Sequence, residues 1–496
     1  MPQRKGRVLN TFTPEFTMPD QLSLPLLSLV GLSSVGKTAI LQTLLRDSSI
    51  GEVSAASATT CNVNTYELIL NDQKDRLFEI ADTPGFQRLY KLRSLLPKTQ
   101  EPAELSVSDI CHSLPSGEDE MADSFRHDFL SWQTIARSHI VVAVIDATED
   151  PDHPVPSSQL DMIPFLKWIQ NEKPVVVLLN KLYPAAQSQP EKWKSFLQEN
   201  GLRRVLAYDA HKRNPTSDIE FLNLLEEIYP ALRHPLERKK SLLLIEEENR
   251  CNNTLTEVAR YLLELAQMRE KLTETAGFSS RLGTDEAERR LVAKIVHKEK
   301  EFAARVAKIW GFPAEVVADA GEFPSHTRYS TRVDIPLAGR RVALGAMIGA
   351  IADVPFCGFS LGAGSILGAL LGGAAGKVYD ITAKTLYHST EKSTFFVPET
   401  KFLERAVDRS LGLYKALAVR GHGTPVSIPV RLSDLPMVDV SLAMEVLQEK
   451  ARKSWANLLF TLPARIWGRA EKFMFSDSVE PDVQKLKEVL RGFSDS

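Results

Sequence analysis

Two hydrophobic rhythms divide this chain. Between residues 26 and 209, short apolar runs alternate with amphipathic stretches. The runs Leu26–Val30, Val63–Leu70, Arg76–Asp82, His139–Ala147, Pro174–Asn180 and Arg204–Asp209 have the length and apolar content of buried strands. Apolar residues at helical spacing fill Lys37–Arg46, Phe125–Ala136, Leu160–Gln170, Glu191–Asn200 and Ile219–Leu232. This alternation predicts an α/β fold, a doubly wound sheet whose ligand lies at the carboxyl ends of the strands.

After Pro235 the rhythm changes. His234–Leu272 and Asp285–Trp310 are charge-rich, with stripes at Leu255, Val258, Leu262, Leu265, Met268 and Leu272, and at Leu291, Ile295, Phe302, Val306 and Ile309. They predict long amphipathic helices packed together, with a partner-binding coiled coil as the alternative. Lys401–Ala418 and Leu442–Leu459 also predict helices, and Val426–Val430 a short strand.

Between these lies Val342–Gly376, which carries one charge, Asp353, and nine glycines. Gly364, Gly368, Gly372 and Gly376 fall four apart, which places them on one helix face where two backbones can approach closely. Asp353-Val354-Pro355 breaks the run in two. Phe356–Gly376 has the ~20 residues that cross a bilayer, whereas Val342–Ala352 is too short. Two expectations stay open: contact with an anionic membrane, suited by the flanking Arg340, Arg341 and Lys377, or a buried glycine-packed hairpin.

Chemistry concentrates near the amino end. Gly31-Leu32-Ser33-Ser34-Val35-Gly36-Lys37-Thr38 follows the first strand and opens the first helix. This is the glycine-rich phosphate loop: successive backbone N–H groups face a di- or triphosphate, Lys37 adds a point charge, and the Thr38 hydroxyl can hold Mg²⁺. Asp82-Thr83-Pro84-Gly85 ends the third strand; Asp82 suits Mg²⁺ and Gly85 lets a backbone N–H approach a γ-phosphate. Thr60 lies between these motifs, where a threonine can close over the metal while the γ-phosphate is present. The candidate catalytic set is Lys37, Thr60 and Gly85, and the candidate metal set Thr38, Thr60 and Asp82.

These motifs resemble those of Era-like small GTPases. Together with Leu44-Leu45-Arg46-Asp47, Gly51-Glu52-Val53-Ser54 and the glycine-rich segment, the chain resembles a bacterial family of Era-like GTPases with a C-terminal domain of unknown function, DUF3482. The resemblance implies GTP and Mg²⁺ as ligands. For the C-terminal half it implies no settled activity.

The pattern departs in two places. Guanine is read in this group by Asn-Lys-x-Asp; here Asn180-Lys181-Leu182 is followed by Tyr183. Asn180 can still reach a base edge and Lys181 can cover the ring. Without the carboxylate, discrimination against adenine is expected to weaken. The Ser-Ala-Lys loop corresponds loosely to Asp209-Ala210-His211, so Asp209 is either a substitute carboxylate or a solvated loop residue. Phe86 stands where Ras-like proteins carry a water-positioning glutamine, and Ser34 where potassium-activated relatives carry asparagine. Slow hydrolysis is expected, dominated by electrostatic positioning.

The remaining features set bounds. A chain of 496 residues exceeds one ordinary domain. The expected division is a polar tail over 1–22, a G domain over 23–233 interrupted by an insertion at 89–124, an amphipathic helical region over 234–330, a glycine-rich hairpin region over 331–400 and a helical region over 401–496. The insertion contains Pro97, Pro102, Pro115 and Glu118-Asp119-Glu120, and reads either as an effector surface or as a solvated loop. A net charge of −3 gives no nucleic-acid signature. Four scattered cysteines suit a reducing compartment, and Met1–Pro19 lacks the apolar core of a secretory signal. The expectation is a cytoplasmic, nucleotide-controlled switch with an unidentified protein effector and possible approach to the inner membrane surface. The alternatives are a membrane-associating or structural protein with a degenerate nucleotide fold, or an ATP-using relative.

Overall fold

The computed structural model describes residues 24–47, 49–50, 62–70, 76–95, 106–114, 125–152, 159–182, 189–272, 280–317, 329–336, 392–422, 441–460 and 480–494. They fall into two compact units, one of residues 1–249 with 418–426, the other of residues 250–417 with 427–496. Thr60, Tyr183, the glycine-rich segment Val342–Gly376 and the expected strand Val426–Val430 lie outside the described residues.

The first unit is built on a six-stranded sheet. In chain order the strands are β1 (Leu26–Val30), β2 (Asn64–Ile69), β3 (Arg76–Asp82), β4 (Ile140–Asp146), β5 (Val175–Asn180) and β6 (Val205–Ala207). Their spatial order is β2-β3-β1-β4-β5-β6; β2 runs antiparallel at one edge and the rest are parallel. Every residue of β4 and β5 is buried, which explains why both read as unbroken apolar runs. Alternate side chains serve opposite faces: Val141, Ala143 and Ile145 enter one core, Ile140, Val142 and Val144 the other.

The first core is covered by α2 (Leu89–Leu95), α3 (Val107–Ser113), α4 (Arg126–Arg137), α5 (Ile163–Glu172) and α6 (Pro190–Glu199), with Trp132, Phe165 and Trp193 at its centre. The second is covered by α1 (Lys37–Leu45), α7 (Pro215–Ile228) and the start of α8 (Arg233–Gln267), including Leu236. The described part of the insertion is helical and packed rather than a solvated loop. α2 and α3 bury Leu89, Leu92, Val107, Ile110 and Leu114, and a reciprocal Ser106–Asp109 capping box starts α3.

The second unit holds residues 250–267 of α8, then α9 (Ser280–Ile309), α10 (Thr400–Ala418, to residue 417), α11 (Ser441–Phe460) and α12 (Glu480–Ser494). Leu255, Val258, Leu262 and Leu265 of one expected stripe, and Leu291, Ile295, Phe302 and Val306 of the other, are buried. Tyr261 stacks on Phe302 with centroids 4.3 Å apart. The buried Glu299 carboxylate accepts from the Tyr261 hydroxyl and pairs with Arg409 at 3.0 Å. A three-stranded antiparallel sheet, β7 (Glu270–Lys271), β9 (Lys392–Pro398) and β8 (Ser330–Pro336), was not anticipated from the sequence. Among the described residues no helix is long and apolar enough to cross a membrane.

Candidate functional site

The phosphate loop leaves β1 at Gly31 and enters α1 at Lys37. Close packing dictates its glycines. A Cβ on Gly31 would lie 2.7 Å from the Val144 carbonyl oxygen. Gly36 has φ +89°, and a Cβ there would overlap the Asn180 side-chain amide. Ser34 also takes a left-handed conformation, φ 65°. The Lys37 ammonium turns back into the loop, donating to the carbonyls of Leu32 at 3.0 Å and Gly31 at 3.3 Å. Burial lowers its pKa to about 8, against the opposing pull of the Asp82 charge.

The end of β3 is zipped to this loop. Phe86 N–H donates to Gly31 O at 3.0 Å and Ser33 N–H to Phe86 O at 3.3 Å. Thr83 Oγ1 donates to Leu29 O at 2.7 Å. Gly85 permits the approach, since a Cβ on it would meet the Ser33 Cα at 2.5 Å and N at 2.6 Å. At the centre, Thr38 Oγ1 donates to Asp82 Oδ2 at 2.6 Å. Asp82 Oδ1 and Ser33 Oγ are buried with no hydrogen-bond partner. Burial raises the Asp82 pKa, while the Thr38 hydrogen bond and Lys37 pull it down. A hydroxyl and a carboxylate oxygen left unsatisfied are hard donors that fit Mg²⁺, and the nearby ammonium fits phosphate oxygens.

The segment after Gly85 is fixed by an acid that the sequence did not single out. Asp128, in the first turn of α4, accepts from the backbone N–H of Gln87 and of Arg88, each at 3.3 Å. Phe86 is buried against Trp132, centroids 5.7 Å apart. The Gln87 side chain instead hydrogen-bonds His127 Nδ1 at 2.8 Å.

On the base side, Asn180 ends β5 and links two loops. Its Nδ2 donates to Val35 O at 2.7 Å, and its Oδ1 accepts from Ala210 N–H at 2.9 Å. Lys181, expected to cover a ring, pairs with the Asp146 carboxylate at the end of β4. Asp146 also accepts from Thr148, and the buried Gln159 side chain bonds its backbone N–H and C=O. An aspartate closing an all-apolar strand was the available signal for this pair. Asp209 is not a solvated residue: it is buried, its Oδ1 accepts from His211 N–H at 2.8 Å, and its Oδ2 is enclosed without a hydrogen-bond partner. A cavity of about 560 Å³, lined by Ser33, Ser34, Phe86, Tyr90, Asp146 and Lys181 among others, opens beside the loop.

A glycine-rich loop between β1 and α1, joined to an acidic strand end and set at the carboxyl edge of this sheet, defines a P-loop GTPase-type domain. The model of a 50S ribosome-binding GTPase matches residues 27–181, and that of a domain of unknown function, DUF3482, matches residues 194–466, more than half of the chain. The protein therefore belongs to the DUF3482 family, and the GTPase match ahead of that domain makes it a GTP-binding protein.

Two solved structures are similar in part. One is Era in complex with MgGDPNP and nucleotides 1506–1542 of 16S ribosomal RNA, at 18% identity over 51% of this chain and 68% of that one, TM-score 0.28. The other is an Era point variant from Aquifex aeolicus bound to GDP·AlF4⁻, at 14% identity over 59% of this chain and 100% of that one, TM-score 0.27. Likenesses of that size carry no functional argument. No curated protein matches the sequence.

Proposed function

We propose that this protein binds GTP with Mg²⁺, hydrolyses it slowly, and uses the γ-phosphate to control the segment that follows Asp82. The observation that carries the reading is the Thr38–Asp82 pair beside Lys37, with Asp82 Oδ1 buried and unsatisfied at the mouth of the phosphate loop. In this reading Lys37 leaves its two loop carbonyls for the β- and γ-phosphate oxygens, and the N–H groups of Ser34, Val35, Gly36 and Lys37 surround the β-phosphate. Thr38 and Asp82 hold the metal, with Thr60 as a further ligand. The bound metal would supply charge neutralisation between the phosphate oxygens. Gly85 N–H faces the γ-phosphate position.

Slow turnover follows from the side chains beyond Gly85. Phe86 is buried and cannot orient water, and Gln87 is engaged with His127. What remains is positioning by amides and the lysine. Control of the following segment is supported by its attachment to the phosphate loop through Gly31, Ser33 and Phe86. A displacement of the loop has to be felt by Phe86 and hence by α2. The RNA and ribosome in the descriptions of similar proteins are not carried over, since a net charge of −3 gives them no electrostatic support.

Calorimetry with GDP, GTP and ATP in excess Mg²⁺ tests the reading. Saturable GDP binding by the unaltered chain, abolished in Lys37→Ala, is expected. Equal binding by both proteins, or none by either, overturns it. The second reading, ATP use, is favoured by Tyr183 standing where the guanine-reading carboxylate belongs, and equal competition by ATP and GTP for one site would establish it.

A further inference from the structure

Ala210 is held from several sides. Its N–H is taken by Asn180 Oδ1 at 2.9 Å, and its carbonyl accepts from Thr43 Oγ1 of α1 at 2.8 Å. A third contact comes from residues far along the chain. Residues 418–426 belong to the first unit although the helix before them, α10, lies in the second through residue 417. Lys212 and Arg420 form an antiparallel bridge. Arg213 N–H donates to Val419 O, and Gly421 N–H to His211 O, both at 2.9 Å. Gly421 lies so close that a Cβ on it would overlap the Ala210 carbonyl oxygen. Arg420 and His422 are 9% and 5% exposed, so this short segment is embedded rather than draped over the surface.

The location gives the contact its meaning. Residues 209–211 follow the carboxyl end of β6, next to Asn180 at the carboxyl end of β5. Ligands of open parallel sheets bind outside such ends. A nucleotide whose phosphates lie on residues 31–38 and whose base extends past Asn180 meets the 209–211 loop next. We propose that Val419–His422 is a clamp that fixes this base-side loop, and that Gly421 is a positioning residue for the purine base. The proposal rests on the nucleotide-binding reading above. Its physical basis is preorganisation: a loop already held in its bound shape loses less conformational freedom when the ligand arrives. Because α10 leads directly into the clamp, the C-terminal half acquires a covalent route to the base pocket. By linkage, whatever shifts the clamp changes nucleotide affinity, and nucleotide binding stabilises the clamp by the same factor.

The base and the phosphates give separable readouts. The probes are GDP and inorganic tripolyphosphate, each with Mg²⁺, on the full chain. Gly421→Ala forces Ala210 away and is expected to speed GDP release by roughly tenfold, within the usual range of coupling between sites. Tripolyphosphate affinity is expected to stay unchanged, because residues 31–38 are untouched. Equal weakening of both probes, or of neither, overturns the proposal. A second measurement needs no variant. In the unaltered chain, saturating GDP is expected to slow hydrogen exchange at the amides of Arg213 and Gly421 as well as in the phosphate loop. Protection of the phosphate loop without protection of these two amides overturns the clamp while leaving nucleotide binding intact. Absence of protection at the phosphate loop would instead defeat the reading on which the clamp rests.

Discussion

Asp128 makes the stability of the first unit depend on pH in a direction that can be worked out. Its side chain is 0% exposed, and burial raises its pKa to about 6 against the opposing hydrogen bonds from the Arg88 and Gln87 amides and the Arg88 charge. A solvated aspartate titrates near 3.8. Between the two values the folded state holds a proton that the unfolded chain has released, so stability falls as pH rises through that window. The full difference is about 2 pKa units, or roughly 3 kcal/mol at neutral pH, with about half still to be lost between about pH 5 and pH 7.5. Asp128→Asn cannot ionise, yet its amide carbonyl can accept from Gln87 or Arg88. Because an amide does not titrate, whatever the exchange of carboxyl for amide costs is the same at every pH, and only the unaltered protein follows this titration. Urea unfolding of both proteins across this range, read at the buried Trp132 by a variant lacking other tryptophans, isolates the effect, because other carboxylates cancel in the difference. The stability gap between the Asp128→Asn variant and the unaltered protein is expected to move by at least ~1 kcal/mol in favour of the variant as pH rises. Parallel curves would refute the argument that burial governs this carboxylate.

Three further outcomes follow from the contacts. Gly85→Ala places a methyl against the Ser33 backbone and is expected to lower unit stability by about 1–3 kcal/mol and to abolish GDP binding, checked by thermal unfolding and calorimetry. In the second unit, Arg409→Ala leaves the buried Glu299 carboxylate with the Tyr261 hydroxyl, and is expected to cost about 3–5 kcal/mol in urea unfolding at pH 7. Adding Glu299→Gln should recover a large part of that loss, and no recovery would show that burial of charge is not its origin. Asn180→Ala strands the Val35 carbonyl and the Ala210 N–H, which at about 1–3 kcal/mol for each unsatisfied buried group predicts a lower melting temperature even without nucleotide.

The readable and unreadable parts of the fold differ in how far apart the cooperating residues stand. β1, β3, β4 and β5 are legible because both faces are buried, so the apolar run itself marks the strand. The phosphate loop is legible because backbone geometry, not side-chain partnership, defines it, and glycine spacing records that geometry. α2 and α3 carry apolar residues three and four apart, Leu89 with Leu92 and Val107 with Ile110 and Leu114. Their helical signal was hidden by short length and by the prolines and acids around them. The sheet β7-β9-β8 was hidden because Ser330–Pro336 pairs with Lys392–Pro398 across the long glycine-rich stretch, and no local pattern sets such a register. The same distance conceals Asp128 with Gln87, Asp146 with Lys181, and Gly421 with Ala210.

Those long-range links also decide how the two halves of the site can respond independently. The proposed phosphate side is the main-chain groups of residues 31–38, tied to the segment after β3 through Phe86. The proposed base side is residues 209–211, tied to α1 through Thr43 and to the proposed clamp through Gly421. Among the described residues, the Asn180 amide bonds both, one end on Val35 and the other on Ala210. Loss of this amide removes a support from each loop at once, whereas Gly421 contacts residues 210 and 211 alone. Asn180→Ala is therefore expected to weaken GDP and tripolyphosphate together, and Gly421→Ala to weaken GDP selectively. If the two variants gave the same ratio of losses, the division of the site at Asn180 would be wrong, because the clamp would then be acting on the whole domain rather than on one loop.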